Sequence, residues 1–113
     1  MKRTIAIVAG GDSSEHEVSM KSAEGIYSFI DQEKYTLYIV ELTKAHWEAI
    51  LSDGSRAKVD KNDFSFMDHG KKIIPDFAYI TIHGTPGENG ILQGYFELIG
   101  IPYSTCESFR SEE

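Results

Sequence analysis

Two glycine-rich turns constrain this chain more than any other feature of its sequence. Each closes a run of apolar and β-branched residues, and each opens a helical pattern. The first run, Thr4 to Ala9, leads into Gly10-Gly11-Asp12-Ser13-Ser14-Glu15-His16-Glu17-Val18-Ser19. The second, Phe77 to Ile82, leads into His83-Gly84-Thr85-Pro86-Gly87-Glu88-Asn89-Gly90. Nearly continuous apolar runs are the mark of strands covered on both faces, as in parallel sheets. In an open α/β sheet, strand-to-helix turns lie at the carboxyl ends of the strands, where ligands bind. Each turn carries an ionisable group, so the sequence predicts one crevice shared by two loops and a small-molecule site within it.

The remaining elements fit that frame. Ser14 with Glu17 three residues on forms a capping box, and Val18, Ser22, Ile26 and Ile30 follow at helical spacing. Tyr35 to Leu42 is a second strand, which makes a βαβ unit with parallel strands. The stretch from Thr43 to Pro75, with His46-Trp47-Glu48 and an Asp53-Gly54 turn, reads as short antiparallel strands and turns decorating an edge. A helix from Gly90 to Ile99 follows His83, stopped by Gly100 and Pro102. Ile91, Leu92, Tyr95, Phe96, Leu98 and Ile99 leave it little polar face, so it is expected to be well buried. Ile101 to Ser104 is a last short strand. The expected fold is α/β, a three-layer Rossmann-like domain with a small, mostly parallel sheet.

Composition narrows the function classes. The 113 residues make one domain with room for a core. With 11 Lys and Arg against 18 Asp and Glu, the net charge of −7 argues against a nucleic-acid partner. The lone Cys106 excludes an internal disulfide and suits a reducing cytosol. Met1-Lys2-Arg3 precedes an apolar run that stops at Ala9, too short for a signal peptide, and no segment is long enough to span a membrane. A cytoplasmic location is expected.

Several residues carry candidate chemistry. Glu15, at the start of the first helix, is held ionised by orphan N–H groups and the helix dipole; it can grip a ligand ammonium or merely complement the dipole. Val18, one turn along, offers an apolar wall or a helix-packing surface. His83 closes a buried strand beside glycines that let backbone amides approach an oxyanion; it can donate to that oxyanion or simply face solvent. Glu88 can orient His83 or cap the following helix. His16, His46 and His69 have no ligand-like spacing with one another or with carboxylates, so no metal site is expected. Gly10-Gly11-Asp12-Ser13-Ser14 is neither a Walker loop nor a dinucleotide fingerprint, so no complete nucleotide site is expected either.

The two segments resemble the N-terminal domain of D-alanine–D-alanine ligases, which carry G-G-x-S-x-E-x-x-V-S and H-G-x-x-G-E-[DN]-G-x-x-Q-G. Matching residues are Gly10, Gly11, Ser13, Glu15, Val18 and Ser19, then His83, Gly84, Gly87, Glu88, Gly90, Gln93 and Gly94, with Gly100-Ile101-Pro102-Tyr103 beyond. The resemblance implies a pre-ATP-grasp domain over residues 1–104, a divergent tail over 105–113, and central and ATP-grasp domains absent from this chain. It implies that Glu15 holds the amino group of the first D-alanine and that His83 lies beside the reacting carboxyl. Val18 and Gly84 line the same pocket, and Ser19 and Glu88 support it from behind. In such ligases ATP, with Mg²⁺, phosphorylates the first D-alanine, and the amine of the second attacks the acyl phosphate, for cell-wall synthesis. By the same resemblance this fragment binds no cofactor itself, is inactive alone, and has as partners D-alanine, the remaining ligase domains and a second copy in a homodimer. Two other classes stay open: a non-catalytic binding or interaction module, and the same domain of another D-Ala–D-X or ATP-grasp ligase.

Overall fold

The central strand of the fold is the first one. In the computed structural model, which describes residues 3–11, 16–82 and 86–105 (side chains of 86–90 and 105 aside), β1 (Arg3–Gly10) is hydrogen-bonded on both edges. On one side β2 (Tyr35–Leu42) runs parallel to it, in register from Arg3 opposite Tyr35 to Gly10 opposite Leu42. On the other side lies β7 (Phe77–Ile80), also parallel, with Ile5 opposite Phe77 and Val8 opposite Ile80. The strand order is β4-β3-β2-β1-β7-β8. The outer strands are β3 (Trp47–Ile50) and β4 (Arg56–Lys58), both antiparallel, and β8 (Tyr103–Thr105), parallel to β7. A separate hairpin pairs β5 (Phe66–Asp68) with β6 (Lys71–Ile73).

Alternation along the strands splits the core into two layers, as period-two geometry requires. Ile7 and Ala9 face α1 (His16–Phe29), packing with Ala23, Met20 and Ile26. Ala6 and Val8 face the other way, into a larger core with Leu92 and Phe96 of α2 (Pro86–Ile99). Helix, mixed sheet, helix is the three-layer architecture expected. Mostly parallel pairing holds for the central strands, and the antiparallel β3 and β4 extend one edge.

The segment between β2 and β7 does more than decorate. Phe64 and Phe66 are, with Phe96, the largest fully buried side chains among the described residues. Trp47, Phe64, Tyr95 and Phe96 meet edge to face, with Phe64 and Phe96 centroids 5.0 Å apart and Trp47 and Tyr95 5.1 Å apart. The Tyr95 hydroxyl donates to the Lys61 carbonyl at 2.6 Å, which ties the segment to α2. This aromatic cluster is missed by a reading that looks for strands, because its residues come from a strand, a turn and a helix distant in sequence and are brought together only in three dimensions.

Helix α2 differs from expectation in two respects. It begins at Pro86, one turn early, where a proline's missing N–H and fixed φ suit a first helical position. It is also not well buried: Leu92 and Phe96 point into the core, but Ile91 is 73% exposed and Leu98 84%. One sheet face can cover only one stripe of a helix, whatever the helix's composition. Phe96→Ala should therefore cost about 3–5 kcal/mol, a large share of a domain's stability. Leu98→Ala should stay within about 0.5 kcal/mol. Urea unfolding of the two variants checks the contrast.

Candidate functional site

The first turn is built around glycine for reasons that can be read atom by atom. Gly10 and Gly11 have φ of 108° and 90°, in the region that disfavours side chains. A Cβ on Gly10 would lie 2.8 Å from the Leu42 carbonyl oxygen, so the close approach of β1 to the end of β2 excludes any other residue. Both amides are used internally: Gly10 N–H donates to Ser19 Oγ at 2.9 Å, and Gly11 N–H to the Leu42 carbonyl at 2.7 Å. The turn thus anchors its own strand and leaves neither amide to hold a phosphate.

Ser19, fully buried, joins that turn to the second one. Its hydroxyl accepts from Gly10 N–H and donates to the Thr81 carbonyl at 3.0 Å. Thr81, also fully buried, donates its own hydroxyl to the Val8 carbonyl at 2.8 Å, and its N–H reaches the same oxygen at 2.8 Å. The two hydroxyl oxygens lie 3.2 Å apart. Each hydroxyl proton serves a carbonyl, so every buried polar atom of the pair has a partner. The chain leaving β1 at Gly10-Gly11 and the chain leaving β7 at Thr81-Ile82 therefore stand side by side at one end of the sheet.

The expected site residues fall as follows. Ser19 is the buried connector just described. Val18 is 50% exposed, so it is not a helix-packing residue, and its apolar surface stays open near the start of α1. Glu15, His83 and Gly84 lie outside the described residues, as does the side chain of Glu88. Ser14 of the expected capping box is outside them too, while Glu17 is exposed on α1.

A polar cluster that the sequence reading did not anticipate flanks the first turn. Glu41, only 7% exposed, sits at the end of β2 opposite Ala9. Its carboxylate is met by His16 Nε2 at 2.8 Å, by His46 Nε2 at 3.1 Å and by Arg56 Nη1. Burial pushes this carboxyl upward, but the hydrogen bonds from Arg56, His46 and His16 outweigh burial and leave it at about 2. The signal in the sequence was a single acid in an otherwise uncharged, largely apolar strand, a placement that demands partners. The expectation that the histidines stand apart from carboxylates is corrected here. His16 and His46 meet Glu41, and His69 meets Asp53 and Asp68 at 2.9 and 2.7 Å; the His16–Glu41 and His69–Asp53 contacts join residues distant in sequence. Ligand atoms of Glu41, His46 and Glu48 lie within 4.8 Å of one another. Arg56 Nη1, bonded to Glu41 and 3.3 Å from Glu48, already supplies positive charge to both carboxylates.

A pH dependence follows. Because the folded value of Glu41 is depressed, its stabilisation is complete above the ordinary 4.5 and is lost as pH falls toward about 2. Glu41→Gln should cost about 1–3 kcal/mol near neutrality, discounted for the partly exposed Arg56. The gap from wild type should narrow below about pH 4.5 and close toward about pH 2. Urea midpoints across the acid range give the measurement.

Comparison with known proteins covers most of the chain. Residues 4–106 match the family model described as D-ala D-ala ligase N-terminus. A D-alanine–D-alanine ligase of Phocaeicola vulgatus is 71% identical over 94% of this chain, which spans 33% of that relative. Among solved structures, D-alanyl-alanine synthetase A from Vibrio cholerae is similar with a TM-score of 0.74 at 36% identity, covering 91% of this chain and 31% of the other. The VanG D-Ala:D-Ser ligase from Enterococcus faecalis also has a TM-score of 0.74, at 27% identity, covering 91% and 35%. The chain spans about a third of the length of the relatives it matches. It belongs to the D-alanine–D-alanine ligase family, and the part of that family it represents is the N-terminal domain.

Proposed function

We propose that this chain is the first-substrate part of an ATP-dependent ligase that joins two D-alanines for peptidoglycan synthesis in the cytoplasm. Residues 1–104 form the substrate-binding domain and 105–113 a divergent tail. The central and ATP-grasp domains are those of the longer relatives. The observation that carries the reading is the Ser19–Thr81 connection, which brings the stems of both family motifs to one end of the sheet.

On this reading Glu15 meets the ammonium of the first D-alanine and Val18 faces its methyl group. His83 donates a hydrogen bond at the reacting carboxyl, with Gly84 leaving room for its approach. Ser19 and Glu88 hold these groups in place. Catalysis by such a site is orientation and charge stabilisation rather than covalent chemistry. Among the described residues, the amides of Gly10 and Gly11 are committed within the fold, so they are not assigned to ATP or Mg²⁺. ATP and Mg²⁺ are assigned to the domains beyond, and this chain alone should release no phosphate from ATP in the presence of D-alanine. A homodimer is part of the same proposal. The equal TM-score with a D-Ala:D-Ser ligase favours one further reading, that choice of the second substrate is made elsewhere.

The test uses a chimera in which this chain replaces the matching third of the Phocaeicola vulgatus enzyme. Glu15→Gln keeps size and loses the charge that pairs with an ammonium. It should lower kcat/KM for the first D-alanine about ten- to a hundredfold, the worth of a charge-assisted contact, with the KM for ATP nearly unchanged. Normal kinetics with a stability loss of only about 0.3–1 kcal/mol would assign Glu15 to the helix dipole and overturn the proposal.

A further inference from the structure

Residues on either side of the segment 12–15 are tied to consecutive residues at the end of β2. Gly11, before the segment, gives its N–H to the Leu42 carbonyl at 2.7 Å. His16, after it, places Nε2 2.8 Å from Glu41 Oε2. The other oxygen of Glu41 is held by His46 at 3.1 Å and by Arg56, which come from the turn before β3 and from the start of β4. Only an anion with two oxygens can take all three donors at once, and a buried carboxylate is tolerated only when so satisfied. We infer that Glu41 is a positioning residue, a latch that fixes His16 and the start of α1 so that the segment carrying Glu15 begins and ends at set points.

The inference deepens the D-alanine reading and rests on it for its functional meaning. The division of labour among the three donors is physical. Arg56 carries a permanent charge and neutralises Glu41 at all relevant pH. His16 needs only a proton on Nε2 to donate, so the latch holds with a neutral ring. A divalent cation shared by Glu41, His46 and Glu48 would compete with the Arg56 guanidinium for both carboxylates. The cluster is therefore read as closed by its own side chains.

The test uses the isotope-labelled 113-residue chain without ligand. Amide exchange is followed at Gly11, at Met20 (the first α1 amide to reach back to His16), and at Val40 and Ile80 in the central strands. Glu41→Gln and His16→Phe should each speed exchange at Gly11 and Met20 about tenfold or more, with Val40 and Ile80 within about twofold. His16→Gln, which keeps a side-chain N–H donor, should restore most of the protection. In wild type, neutral His16 should show the nitrogen shifts of the Nε2–H tautomer, and Glu41→Gln should lose that bias. Unchanged exchange in His16→Phe, or a uniform rise across the sheet, would overturn the latch. So would stoichiometric binding of added zinc ion that shifts the His46 ring. If Glu41→Gln does not fold, His16→Phe and the tautomer decide the matter alone. A chimera indifferent to Glu15→Gln removes the substrate reading and leaves the latch standing. A failed exchange test does the reverse.

Discussion

A single buried hydroxyl holds together the end of the sheet where β1 and the chain after β7 leave it. Ser19 sits on α1 where an apolar residue would ordinarily face a sheet, and it bonds to β1 through Gly10 and to the chain after β7 through Thr81. Three elements therefore meet at one polar point inside an otherwise apolar layer of Ile7, Ala9 and Ala23. Such a network is costly if any member is left unpaired, and it specifies one arrangement strongly when all are paired. Its energetic effect is local, but its geometric effect extends to both loops that follow the strands.

The described residues form a rigid frame around the ends of β1 and β2. Packing on both sheet faces immobilises β1, and the close approach of Gly10 to Leu42 fixes where that strand can end. Glu41 and Leu42 then serve the opposite edge of the first turn as Ser19 and Thr81 serve the inner one. Ligand-binding groups on loops need such support, because the loops themselves contribute little packing. The frame is what is shared with D-alanine–D-alanine and D-Ala:D-Ser ligases alike.

How much of this was legible depended on whether the signal was local. The limits of β2 were read correctly, since β-branched runs bounded by polar residues are self-announcing. β7 ends at Ile80, two residues short of the apolar run, because Thr81 turns its hydroxyl and amide to Val8. The last strand is Tyr103–Thr105 rather than 101–104, the shift that Pro102, lacking an N–H, favours. That the strands leading into the two glycine-rich turns are parallel and leave the sheet at the same end was foreseen from the pattern of the runs. The Phe64 and Phe66 core and the Glu41 cluster were not, because they join residues from separate elements whose packing no local pattern announces. Overestimating the burial of α2 has the same root: composition counts apolar residues, but a helix exposes whatever its single packed stripe cannot include. The roles assigned to Glu15 and His83 came from motif resemblance, and they remain proposals.

The most direct measurement of the central claim is a double-mutant cycle between Ser19→Ala and Thr81→Val, read by urea unfolding. If the two hydroxyls act as one connector between the loop stems, each single change should destabilise the domain by about 1–3 kcal/mol. The double variant should then be more stable than the sum of the two by on the order of 1 kcal/mol. A Ser19→Ala cost within about 0.5 kcal/mol, with strict additivity in the double variant, would mean that the Ser19 hydroxyl carries no connection between the stems. The two stems would then be neighbours by packing alone, contradicting the shared support on which the site is built.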